Sequence, residues 1–161
     1  MAVIAVTGHM DLTAGSIQPV RDALLDLLSE YPSDQLTGLS CIAKGADALF
    51  ADVVLSLGGL LIAVIPSADY RKAKVKPDYA AEFDRLYEAA TDVIVMPFAT
   101  ADREAYEAAS NELLRRADRL VAVWDGQPGN GRGGTADTVA GAQAAAIPVD
   151  VVWPKGASRK G

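Results

Sequence analysis

Val3-Ile4-Ala5-Val6-Thr7-Gly8-His9 opens the chain with a short run that is apolar or β-branched at every position and is closed by a glycine. A strand with one wet face would alternate apolar and polar residues. A run that stays apolar reads as a strand covered on both faces. A helical stretch follows: between Ser16 and Tyr31, Ile17, Val20, Leu24, Leu25, Leu27 and Leu28 recur at helical spacing, and Pro32 marks the stop.

The same unit recurs along the chain. Leu36 to Ile42 reads as a second strand, Lys44-Gly45-Ala46-Asp47 as a turn, and Ala48 to Leu57 as a helix closed by Gly58-Gly59. Leu60 to Ile65 is a third strand, Ser67 to Pro77 a polar, basic loop, and Asp78 to Ala90 a helix. Asp92 to Met96 makes a fourth strand, Asp102 to Ala117 a helix and Arg119 to Trp124 a fifth strand. A glycine-rich loop, Asp125 to Gly134, then leads to a helix from Thr135 to Ala146 and a sixth strand from Val149 to Trp153; residues 155–161 read as a frayed tail.

Alternating strands and helices, with uniformly apolar strands, predict one α/β domain over residues 1–161. The expected form is a three-layer α/β/α Rossmann-like fold on a mainly parallel sheet of about six strands. The default strand order is 3-2-1 continuing through 4-5-6. In such sheets ligands bind beyond the C-terminal ends of the strands, where the winding reverses, so the loops there are the ones to read.

Composition removes several function classes. One Cys (Cys41) and one His (His9) cannot build a Cys/His zinc site or a disulfide, and no metal is expected. The 15 Lys and Arg against 21 Asp and Glu, a formal charge of −6, leave no surplus of cations for a phosphate backbone, so no nucleic-acid partner is expected. The longest apolar stretch, Leu55 to Pro66, is broken by Ser56, Gly58 and Gly59 and is shorter than the ~20 residues of a membrane helix. No membrane partner and no secretory signal are expected, which makes the expected location cytoplasmic.

Four strand-end loops carry candidate binding residues. Thr7-Gly8-His9-Met10-Asp11 follows the first strand; its glycine permits close approach of a ligand, and His9 either donates to a phosphate or caps the loop. The spacing is not G-x-G-x-x-G, so the dinucleotide fingerprint is absent. Gly45 and Asp47 open the second helix; Asp47 either complements the helix dipole or accepts from ribose hydroxyls. The strongest local signal is Trp124 to Thr135, where Asp125, Gly126, Arg132, Gly133, Gly134 and Thr135 combine a backbone nest, a cation and a Thr helix cap. The Ser67 to Pro77 loop reads as either solvated or a lid, with Tyr70 stacking on a base and Arg71 or Lys72 reaching phosphate.

In order, "AVTGH" (5–9), "AKGAD" (43–47), "VIP" (64–66), Asn111, "ADRLVAVWDG" (117–126) and "GGT" (133–135) resemble the SLOG superfamily across residues 3 to 153. That Rossmann-like group contains the DprA-type DNA-processing proteins, the YpsA-like proteins and the LOG "lysine decarboxylase-like" phosphoribohydrolases. The resemblance implies a nucleotide or nucleotide-derived ligand at Gly8, His9, Gly45, Asp47, Asn111, Asp125, Gly133, Gly134 and Thr135. It also implies a homo-oligomer.

The LOG branch resembles P-G-G-x-G-T-x-x-E with an Arg-Lys pair in the preceding helix. Here the Glu position is Thr138, and the pair falls on Ala109-Ser110. Without the carboxylate and its cation, an oxocarbenium-like transition state lacks stabilisation. The expectation is therefore a sensor or carrier domain with no catalytic residue and no required cofactor. The alternatives are an N-ribosyl hydrolase using Asp125 or Asp137, and an oligomeric scaffold with a vestigial pocket.

Overall fold

The structure, a computed structural model, describes residues 1–128 and 134–160. Six strands, β1 (Ala2–Gly8), β2 (Leu36–Ser40), β3 (Leu60–Ile65), β4 (Asp92–Val95), β5 (Arg119–Val123) and β6 (Val149–Val152), form one sheet in which every pairing is parallel. Helices α1 (Ala14–Leu28), α2 (Ala46–Ser56), α3 (Tyr70–Lys74), α4 (Pro77–Ala89), α5 (Arg103–Arg116) and α6 (Thr135–Ala144) connect them.

The uniformly apolar strands are explained by two packed faces. On one, Ile4, Val6, Val121 and Val123 meet Val20, Leu24 and Leu28 of α1 and Phe50 and Val54 of α2. Leu61, Ala63 and Ile65 of β3 pack with Phe83 and Leu86 of α4. The other face sets Ala5, Leu39, Val64, Leu120 and Ala122 against Ala109 and Leu113 of α5 and Val139 and Ala142 of α6. Neither side of the sheet has room for a polar stripe.

The strand order is β4-β3-β2-β1-β5-β6, which corrects the default. Strand β4 continues past β3 at the edge, and β5 returns to pair with β1. Right-handed crossovers on one face carry the sheet steadily in one direction, and here three succeed one another before the chain changes face. The winding therefore reverses between β1 and β5.

Two further expectations are corrected. The segment after β3 is not an open lid, because it winds into α3 and buries Tyr70 among Phe83, Tyr106 and Tyr79. Arg71, offered as a phosphate ligand, forms a bidentate pair with Asp84 at 2.8 and 2.7 Å.

The segment 155–160 is not frayed. Arg159 forms an antiparallel bridge with Leu12, the Thr13 N–H donates to the Ser158 carbonyl (3.1 Å), and the Lys160 N–H donates to the Asp11 carbonyl (2.7 Å). Ser158 also donates its N–H to the buried Ser16 Oγ (2.8 Å). Small and hydroxyl side chains at both ends of the chain allow this close antiparallel approach.

Candidate functional site

A cavity of about 630 Å³ opens beyond the C-terminal ends of the strands. That volume lies in the range of small-molecule sites. Its lining comes from the loops after β1, β2, β3 and β5, from α5, and from the C-terminal segment, so it straddles the point where the winding reverses.

Two glycines fix the loops that frame it. A Cβ on Gly8 would stand 2.5 Å from the Ala46 Cβ and 2.9 Å from the Val123 carbonyl, so only glycine lets α2 seat against the junction of β1 and β5. Gly45 has φ +93°, and a Cβ there would stand 2.7 Å from the His9 carbonyl. The Ala46 N–H donates to that same carbonyl at 3.1 Å. Gly45 does not line the large cavity; it holds the loop that does.

His9 lines the cavity but is held by the protein. Its backbone N–H donates to the Val123 carbonyl, its Nε2 accepts from the Asp125 N–H (3.1 Å), and its ring meets Trp153 edge-on at 5.5 Å. Burial, followed by the Arg159 charge, lowers its pKa despite the opposing Asp125 carboxylate. Arg159 in turn donates to Asp11 (2.8 Å) and lies 3.7 Å from Asp125. The C-terminal segment thus places a guanidinium at the cavity wall.

At the β2 end, Asp47 occupies the first turn of α2, where burial pushes its carboxyl up to about 7, partly offset by the Ala43 backbone N–H. Cys41 lines the cavity nearby, its thiol raised well above the usual range by burial and then by the Asp47 charge. Tyr70 and Tyr106 complete this end.

By sequence, no family model and no curated protein matches the chain. Solved structures do match. DNA processing protein A (DprA) from Streptococcus pneumoniae superposes with a TM-score of 0.71 at 18% identity over 97% of this chain; the chain spans 52% of that one. A molybdenum cofactor binding protein from the phototrophic bacterium Rippkaea orientalis gives a TM-score of 0.58 at 19% identity, covering 93% of this chain and 75% of that one. The Chlamydomonas rheinhardtii Moco carrier protein gives 0.55 at 20% identity, with 93% and 74% covered. The chain has the Rossmann-like α/β fold of these structures. Identities at this level bear on the fold and not on the ligand.

On this fold the motif residues separate. Gly8, His9, Asp47, Gly134 and Thr135 line the large cavity. Asn111 does not: it is exposed and borders a separate groove between α5 and α6, together with Asp137. Asp125 is turned to His9 and to the Gln127 N–H (3.0 Å), and Gly126 lies inside the turn those bonds close. Arg132 and Gly133 lie outside the described residues. The helix cap is Gly134, not Thr135, which is the first residue of α6. Gly134 has φ −86°, and a Cβ there would meet nothing within 4 Å, so its described geometry does not require glycine.

The positions matched to the LOG catalytic residues carry small side chains at the margins of the two pockets. Ala109 is 2% and Thr138 5% exposed; the Thr138 hydroxyl lies 3.2 Å from the Gly134 carbonyl and 3.5 Å from the Ser110 hydroxyl. Small residues let α5 and α6 approach closely here.

Sequence reasoning missed Lys74, Lys76, Tyr106, Ser110 and Arg159, all of which line the cavity. Lys74 and Lys76 belong to the same basic segment as Arg71 and Lys72, and its composition does not distinguish which of the four reach the cavity. Nothing local marks Arg159, which arrives from 148 positions beyond its partner Asp11.

Proposed function

We propose that the cavity binds a nucleotide or nucleotide-derived small molecule, phosphate first, as a sensor or carrier domain. The observation that carries this reading is the convergence of Gly8 and Thr135 on one cavity at the reversal of the winding, with the N-terminus of α6 opening into it. Unpaired N–H groups and the helix dipole at such an end favour a phosphate. Backbone donors need no surplus of Lys or Arg, which suits a chain of net charge −6.

Binding rather than hydrolysis is supported by Ala109 and Thr138, which bring neither a cation nor a carboxylate to the position where the LOG branch carries both. That two fold neighbours are a molybdenum cofactor binding protein and a Moco carrier protein is in keeping with a cofactor-sized guest.

The test is thermal stabilisation by AMP, ADP-ribose, NAD and cyclic AMP, read in parallel by the fluorescence of Trp124, which lines the cavity. A ligand at ~100 times its Kd adds about 2.7 kcal/mol of stability. Stabilisation by at least one of these, weakened in Thr135→Val, is the expected result. If no phosphate-bearing probe moves either signal, the reading is wrong.

A further inference from the structure

The charge along the cavity is divided between its two ends. At the β1 and β5 loops the cation is already engaged: Arg159 donates to Asp11 at 2.8 Å and lies 3.7 Å from Asp125. The β3 end is different. Arg71-Lys72-Ala73-Lys74-Val75-Lys76 carries four cations in six residues with no acid between them, and Lys74 and Lys76, both exposed, line the cavity.

The acids of that region are held elsewhere. Asp69 accepts from the Ser67 hydroxyl (2.7 Å) and the Ala101 N–H (2.8 Å), Asp78 pairs with Lys44 (3.2 Å), Asp84 with Arg71, and Glu82 with Arg85. Glu88 stands about 18 Å along α4 from Lys76. Asp47, the remaining carboxyl of the cavity, sits in the first turn of α2 with neither lysine as its partner. Among the described residues Lys74 and Lys76 make no hydrogen bond and no ion pair. Two like charges at one cleft repel each other and focus their field into it, and an anion from outside the protein relieves both effects.

These lysines are far from the phosphate site at α6. In the order β3-β2-β1-β5 the loop after β3 lies three strand spacings from the loop after β5, about 14 Å. One phosphate does not bridge that gap. The flexible four-carbon lysine stems shorten it to the width of a ribose or a nucleoside.

Resting on the nucleotide reading above, we propose that the ligand carries a second anionic group, held by Lys74 and Lys76 while its first phosphate sits at the N-terminus of α6. The ligand then lies across the carboxyl ends of β1 and β2 with an anion at each end. An ammonium meets its partner as a point charge, so a phosphate and a carboxylate serve alike. The site reads the separation of the two anions.

Calorimetric titration of the full chain with AMP, adenosine 3′,5′-bisphosphate and adenylosuccinate tests this. The second anion lies across the ribose in the bisphosphate and beyond the base in adenylosuccinate, so the two probes sample a short and a long separation. At least one of them binds wild type roughly tenfold or more tightly than AMP, the worth of one charge-assisted hydrogen bond. The preference shrinks as salt is raised. In Lys74→Gln/Lys76→Gln it falls to within about threefold, below that same worth. Lys72→Gln/Lys155→Gln removes the same charge away from the cavity and keeps the preference. All four side chains are exposed, so both variants fold as wild type does.

A wild type that prefers neither probe over AMP overturns the proposal, as does a preference that Lys72→Gln/Lys155→Gln also abolishes. A preference that survives Lys74→Gln/Lys76→Gln because AMP weakens equally overturns it too, and makes the lysines the seat of the only phosphate. In each case AMP still binds and the nucleotide reading stands. If wild type binds none of the three, the nucleotide reading falls and the second anion with it.

Discussion

The Asp125 backbone N–H donates to Nε2 of His9 at 3.1 Å, which makes that nitrogen an acceptor and the imidazole a neutral tautomer with its proton on Nδ1. The Asp125 Oδ1 waits 3.3 Å from the same nitrogen and would be its partner only if the ring were protonated. Burial, with Arg159 beside it, holds His9 below its ordinary pKa of 6.5. The unfolded chain therefore binds the extra proton first, and folding stability drops as the pH falls below about 6.5. Melting temperatures of wild type should decline more steeply than those of His9→Gln between pH 6.5 and 5.

Asp47 acts with the opposite sign. Its folded pKa of about 7 lies above the unfolded value of 3.8, so its contribution is fully present below 3.8 and is lost as the pH rises through 7. Asp47→Asn should exceed wild type in stability at pH 8, with the gap narrowing toward pH 5. Part of the residue remains open to the cavity, where water offsets some of the desolvation, so we expect about 2 kcal/mol, or roughly 4–8 °C. Equal melting curves at pH 8 would contradict the burial assigned to this carboxyl.

The glycines divide into those that are required and those that are not. Gly8→Ala forces a Cβ into Ala46 and the Val123 carbonyl, and should cost about 1–3 kcal/mol by overpacking at the junction of β1, β5 and α2. Gly134→Ser meets open space at an extended φ and supplies a cap hydroxyl; chemical denaturation should place it within about 0.5 kcal/mol of wild type or slightly above it.

Installing a LOG-type pair should not install its chemistry. In Thr138→Glu a carboxylate enters a site 5% exposed between α5 and α6, and in Ala109→Arg a guanidinium enters one 2% exposed. Each should lower stability by about 3 kcal/mol or more through a buried charge. Release of adenine from AMP by the double variant, followed chromatographically, should stay at the background rate.

Much of the fold was legible because the strands are apolar without alternation: Val3 to Thr7 and Leu60 to Ile65 can only be central strands between helices. The strand order was not, since the placement of β4 depends on where the winding reverses and no residue marks the reversal. Gly8 and Gly45 were legible as special positions. Their reason, the close approach of α2 to the β1 loop, became visible only in three dimensions. Asp125 and Asn111 were named for their chemistry, but tertiary contacts turned Asp125 to His9 and left Asn111 on an outer groove. Tyr70 illustrates the reverse error: its basic neighbours suggested exposure, while its ring belongs to the core.

The strap formed by Ser158, Arg159 and Lys160 joins positions about 145 residues apart, so it closes the longest loop of the molecule with a handful of hydrogen bonds and one ion pair. Contacts of such separation are costly in chain entropy and are made late in folding. The amides of Thr13 and Lys160 should therefore exchange with deuterium together, as one small cooperative unit that opens while Ala5, Leu39 and Leu120 in the sheet remain protected. Exchange at those two positions becomes a clock for the cavity wall, timing how often the β1 loop is released from the end of the chain.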